Sequence, residues 1–183
     1  MKNTKITLFF LLICCCTGIS AQSTNNTKSR RHLERLRQNA ALQHQLGNYK
    51  NAVVAYKNII SLQPNSFDDN YELALLYYNE LNSKRESIPY FLTAIDNMTD
   101  TVPDIFNYAG QALLTARNYD KAHGFFQTYN DIPAQPGFLK VSMRRYIARC
   151  IEEKAQIEEY RAERRRLSAA GVQVINAGPM INS

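Results

Sequence analysis

LGNYKNAVVAYKNIISLQPNS, residues 46–66, opens on a turn and runs on at helical spacing. Gly47-Asn48 is a turn signal, and Asn48 is a residue type that can take a free N–H of a helix's first turn. Tyr49, Ala52, Tyr56 and Ile59 then recur at helical spacing, which gathers them on one face. Pro64 closes the segment. One such short amphipathic helix cannot stand alone in water, so its face needs neighbours.

The neighbours are copies of itself. The cap position recurs with a period of 35 as Asn48, Ser83 and Asn118. The small position is Ala52, Ser87 and Ala122, where helices approach closely and a larger side chain would collide. One turn later come the aromatic knobs Tyr56, Phe91 and Phe126, then Ile59, Ala94 and Tyr129. The helix before each of these carries its own small residue, Ala40, Ala74 and Gly110, at spacings of 34 and 36. One extra residue is therefore expected in the turn near Leu81 to Ser83, and another in the linker Asn97 to Val102. Ser66 with Asp69 and Thr101 with Asp104 read as capping pairs at helix entries. Pro103 falls in a first turn, where its missing N–H costs nothing, and Pro89 is expected to bend its helix.

Small, aromatic and proline positions in this order resemble the tetratricopeptide repeat (TPR) family over Leu33 to Gln135. Leu36, Asn70 and Phe106 stand where that family often has tryptophan, and Thr99 and Ala134 stand where Pro64 would recur. The resemblance implies an all-α fold, a TPR α-solenoid of helix hairpins at about residues 30–66, 67–101 and 102–135. It also implies a concave groove lined by the first helix of each hairpin. By that geometry the groove positions are Arg37, Ala41 and His44, then Tyr71, Leu75 and Tyr78, then Asn107, Gln111 and Leu114. Arg37, His44, Tyr71, Tyr78, Asn107 and Gln111 are the candidate partner-binding residues. Two readings of Tyr71 and Tyr78 stand side by side: anchors for an extended peptide, or packing onto the next hairpin.

Outside the repeats, Arg30 to Gln45 reads as the first helix, with Leu33, Leu36 and Ala40 as a thin apolar stripe. After Pro133, Pro136 and Gly137, residues 137–166 read as a long capping helix packed through Leu139, Met143, Tyr146, Ile147 and Cys150. Its polar end, EEKAQIEEYRAERRR, leaves one face wet. Residues 167–183 read as an extended tail. Its NAGPMINS resembles the segment that leads into the β-propeller of some Gram-negative envelope proteins with TPR, propeller and OmpA-like parts. On that resemblance the chain is the front of something longer.

The first 21 residues read as a secretory signal: Lys2 and Lys5, an apolar run of 11 from Ile6 to Cys16, and a small residue, Ala21, before the cut. The run is too short to span a bilayer. Lipoprotein signals want Gly, Ala or Ser before the modified cysteine, whereas Ile13, Cys14 and Cys15 stand here. Residues 22–29 are polar and read as a disordered lead-in. The formal charge of +6 falls to about +4 without the leader, with acids and bases interspersed, so no nucleic-acid patch is expected. Cys150 alone is left beyond the leader, which leaves the fold to packing. His32, His44 and His123 lack ligand spacing, and Asp120 with His123 makes only a pair. No phosphate loop, nucleophile elbow or HExxH is present. The expectation is an exported, non-enzymatic scaffold of the periplasm or outer-membrane face. It takes a protein or peptide partner, with no cofactor, metal, nucleic acid or small-molecule substrate.

Overall fold

A computed structural model describes residues 27–133 and 137–171. The expected signal at 1–21, most of the lead-in and tail residues 172–183 lie outside the described residues. All described secondary structure is helical. Residues 27–45 form α1, followed by α2 (Tyr49–Leu62), α3 (Phe67–Leu75), α4 (Lys84–Asn97), α5 (Pro103–Thr115), α6 (Tyr119–Asp131) and α7 (Gly137–Ala169). The helices pair as hairpins, α1 with α2, α3 with α4, and α5 with α6. From α2 onward each packs on the helix before it, and α7 closes the stack against α6. The protein is an all-α helical-hairpin solenoid with a long C-terminal helix. Among the described residues no helix is long and apolar enough to cross a membrane.

The repeat is written into the backbone at the hairpin turns. Each turn hinges on one residue in the left-handed region: Gly47 at φ 72°, Asn82 at φ 49° and Arg117 at φ 60°. These are 35 residues apart. In the first and third turns the backbone closes the helix end the same way. Asn48 and Gly47 donate to the carbonyls of Gln43 and His44, each at 2.9 Å. Asn118 and Arg117 donate to those of Leu113 and Leu114, at 2.9 and 3.0 Å. Arg117 holds this conformation against a steric cost of about 1 kcal/mol that glycine avoids.

The second hairpin carries the extra residue, but not where the sequence placed it. Residues Leu76–Glu80 form a π-helical turn, with the Leu81 N–H on the Leu76 carbonyl at 3.2 Å. The widened turn absorbs the insertion inside the helix. It keeps Leu76 and Tyr78 buried and displaces the closing bond to Ser83 N–H on the Tyr77 carbonyl, 2.8 Å.

The repeated face is the core. Ala52, Ser87 and Ala122 are fully buried, as are Phe91, Phe126, Ile59 and Ala94, and Tyr56 is 5% exposed. The core forms two clusters that meet on α3. Leu73 and Leu76 pack with Leu33, Ala40, Tyr56 and Ile59 of the first hairpin, while Ala74 and Tyr78 pack toward α4, α5 and α6. Gly110 lets α5 and α6 touch. A Cβ there would lie 2.6 Å from Cε1 of Phe126, whose ring is fully buried and stacked on Tyr146 at 4.9 Å. Gly110→Ala gains about 1 kcal/mol of helix propensity. Overpacking costs about 1–3 kcal/mol, and a fully buried ring backed by Tyr146 has little room to retreat. The expected result is a lower urea midpoint at unchanged helicity; a raised midpoint would show that the ring yields.

Several boundaries differ from the sequence reading. Ser66 Oγ accepts the Asp69 N–H and Asn118 Oδ1 the Lys121 N–H, both at 3.4 Å, so these two cap as expected. Asn48 and Ser83 do not. Asn48 Nδ2 donates to Gln43 Oε1 at 3.1 Å and the Ser83 hydroxyl to the Leu81 carbonyl at 3.4 Å, because these side chains face back to the helix they follow. α5 enters at Val102 rather than Thr101, since the residue before Pro103 is held extended. Pro89 lies inside α4, as the sequence placed it. α1 is already helical at residue 27, three residues before the expected start, because nothing in Thr27, Lys28 and Ser29 breaks a helix. α7 runs to Ala169 rather than residue 166; the stop is Gly171 at φ 75°.

Candidate partner-binding groove

α1, α3 with its π turn, and α5 carry the six candidate residues, and the structure engages most of them within the stack. Arg37 of α1 is held by Asp69, in the first turn of α3. Nε donates to Oδ1 at 2.9 Å and Nη2 to Oδ2 at 2.6 Å, while Nη2 also donates to Gln63 Oε1 at 3.0 Å. The Asp69 side chain is 3% exposed and that of Arg37 34%. Burial alone would push the Asp69 carboxyl up, but the hydrogen bonds from Arg37 and Ser66 and the Arg37 charge outweigh it and hold the group below its ordinary value. The bond to Asp69 likewise raises Arg37. Arg37, expected on the rim of an open groove, is a clasp between the first two hairpins. A 32-residue separation hid its partner from a local reading of the sequence.

Tyr78 resolves toward packing. It is 8% exposed, with its ring edge-on to Tyr108 at 5.1 Å and to Phe91 at 6.1 Å. Lys84 Nζ lies 4.8 Å from the ring centre. The Tyr78 hydroxyl donates to Gln111 Oε1 at 2.8 Å, and Gln111 Nε2 donates to Asn107 Oδ1 at 2.8 Å. Tyr78, Gln111 and Asn107 thus form one chain of bonds across the junction of the second and third hairpins. Burial pushes the Tyr78 phenol up to about 12. Leu114, expected to face the groove, is also buried, at 8%.

Tyr71 keeps a partly open face. It stacks on Phe67 at 5.6 Å and leans on Phe91 at 6.2 Å. Its phenol is raised to about 12 by burial, then by Tyr108 and Asp104 nearby. His44 lies apart from this group, 3.9 Å from Glu80 Oε1 and edge-on to Tyr49 at 5.9 Å. The half-exposed surface between α3 and α5 is therefore Tyr71, Asn107, Gln111 and Tyr108. Tyr108 escaped the sequence reading. It stacks on Phe91 at 6.3 Å and bridges to Tyr78.

The residues nearest to chemistry lie at the other end. Asp120, His123, Cys150 and Lys154 border a cleft of about 350 Å³ between α6 and α7. Asp120 binds Lys154 Nζ at 2.6 Å. Burial pushes the Cys150 thiol up to about 11, so it stays protonated and a poor nucleophile at neutral pH. Among the described residues no three of His, Cys, Asp and Glu gather to hold a metal. No protein-family model matches the chain, and no curated protein matches it significantly.

Proposed function

We propose that the protein is a non-enzymatic interaction scaffold of the TPR type that holds a protein or peptide partner on the α3–α5 face. The supporting observation is the 35-residue repeat, present both in the small-aromatic sequence positions and in the left-handed turns at Gly47, Asn82 and Arg117. Solenoids of this kind present a continuous face, and partners are held there by aromatic rings and paired amides. Tyr71, Asn107, Gln111 and Tyr108 supply both, on a base kept rigid by Tyr78 and Phe91. The leader with Lys2, Lys5 and Ala21 supports export, which puts the scaffold in the cell envelope, at the periplasm or the periplasmic face of the outer membrane. A second reading makes the chain the front module of a longer outer-membrane protein, peptidoglycan-linked or secretion-associated, of OmpA-like architecture. It rests on NAGPMINS.

The test is site-specific photo-crosslinking in envelope extract, with the probe at Asn107 and, as control, at exposed Lys121 on α6. A discrete adduct is expected from Asn107 and none from Lys121. Tyr71→Ala, with its fold verified, is expected to weaken that adduct's binding about 30-fold, as an aromatic anchor worth about 2 kcal/mol would. Adducts from Lys121 alone would overturn the groove.

A further inference from the structure

The C-terminal helix outruns the stack that it closes. α2 and α6 have 14 and 13 residues, about 20 Å, whereas α7 has 33, about 50 Å. The last residue of α7 packed on the core is Ile157. A stripe on one face nevertheless continues in alternating steps of three and four, the spacing of a two-helix seam: Cys150, Ile157, Tyr160 and Leu167 are apolar or aromatic, and Glu153 and Arg164 between them are charged. From Glu153 onward these positions are only partly exposed, while Glu152, Gln156, Glu159, Arg161, Glu163 and Arg165 beside them are exposed. A groove of about 1070 Å³ runs between this face and the Ala116–Asp120 turn.

The charges along the overhang are segregated. Residues 152–159 carry Glu152, Glu153, Glu158 and Glu159 against Lys154, and residues 161–166 carry Arg161, Arg164, Arg165 and Arg166 against Glu163. Arg161, Arg164, Arg165, Glu152 and Glu159 make no ion pair among the described residues. Such a helix is complementary to itself when reversed. We propose that α7 pairs antiparallel with α7 of a second copy, centred between Ile157 and Tyr160. In that register Ile157 meets Tyr160 of the other copy and Glu153 meets its Arg164. Both pairs have the same midpoint, and the two-fold axis makes each pair occur twice. Leu167 then lies over the cleft bordered by Cys150 and Ile151. One contact opposes the pairing, since Lys154 comes near Arg161 of the other copy. Lys154 already has Asp120 at 2.6 Å and Glu158 at 3.9 Å to offset it. Glu153 keeps its bonds to Arg149 and Tyr119 while facing the new arginine.

Sedimentation velocity of the full chain over a dilution series tests this. A monomer–dimer equilibrium is expected, weakened by added salt. Arg164 stands beyond the packed part of α7, so Arg164→Glu should leave helicity unchanged and raise the dimer dissociation constant about tenfold or more. Glu153→Arg should do the same. Mixed, these two variants should form a heterodimer, because each places the charge that the other lacks opposite it. A wild-type chain that stays monomeric at every concentration overturns the proposal. So does an Arg164→Glu chain that dimerises undiminished, which would put a different surface or occupant at the interface. Should Glu153→Arg fail to fold, the Arg164→Glu comparison decides alone.

Discussion

Phe91→Ala is expected to lower the free energy of unfolding by about 3–5 kcal/mol, the range for truncating a fully buried phenylalanine. The ring has no exposed surface. It meets Tyr71 at 6.2 Å, Tyr78 at 6.1 Å and Tyr108 at 6.3 Å, each from a different position on α3 and its π turn or on α5. Truncation opens a hole that three tyrosines line but do not fill, because Tyr78 is tied to Gln111 and Tyr71 is stacked on Phe67. A domain of this size has about 5–15 kcal/mol to lose, so this one change removes a large share. Urea unfolding followed by circular dichroism reads the loss directly. A cost under about 1 kcal/mol would mean that the hairpins repack freely and that the aromatic cluster is no keystone. The same variant would disturb the α3–α5 face, because Tyr71 and Tyr108 rest on this ring.

What the sequence disclosed, and what it did not, divides along a physical line. Ala52, Tyr56 and Ile59 and their counterparts were legible because burial repeats with the chain: the same contact is made three times, so the same residue type is needed three times. The π turn was legible only as a count. A surplus of one residue says that something must widen, but a loose turn and a bulged helix absorb it equally in sequence terms. The backbone chose the helix because there Leu76 and Tyr78 stay buried. Tyr78 lies in that turn and is buried, while Tyr108 of α5 is half-exposed beside it. Arg37 was legible as a basic residue on the right helix. Its partner was not, because Asp69 had a sufficient local explanation as a residue of a helix entry. Caps misled for a related reason. Asn48 and Ser83 have the right chemistry, but the preceding helix end lies as close as the following one, and their side chains bond backwards.

The clasp gives the second large effect, and one whose size changes with pH. Arg37→Met keeps most of the side chain's apolar length and removes the guanidinium from a carboxylate that is 3% exposed. Breaking a buried pair from one side costs about 3–5 kcal/mol, and the one-third exposure of Arg37 screens this to about 2–3 kcal/mol near neutral pH. In the native protein the Asp69 carboxyl titrates below its unfolded value. Its contribution to stability is therefore fully present above about pH 3.9 and is lost as pH falls through the lower, folded value. Without Arg37, burial is the largest remaining influence and only the Ser66 bond opposes it, so the folded pKa moves above the unfolded one. The sign then reverses: a protonated Asp69 favours the fold of the variant, and that contribution disappears as pH rises through the raised value. The stability gap between native protein and variant should accordingly be widest at neutral pH and narrow as the pH falls below the unfolded value of about 3.9. Urea midpoints of both proteins across that range measure it. A gap that stays constant from neutral to acid would mean that water reaches Asp69 and that the clasp is not a buried ion pair.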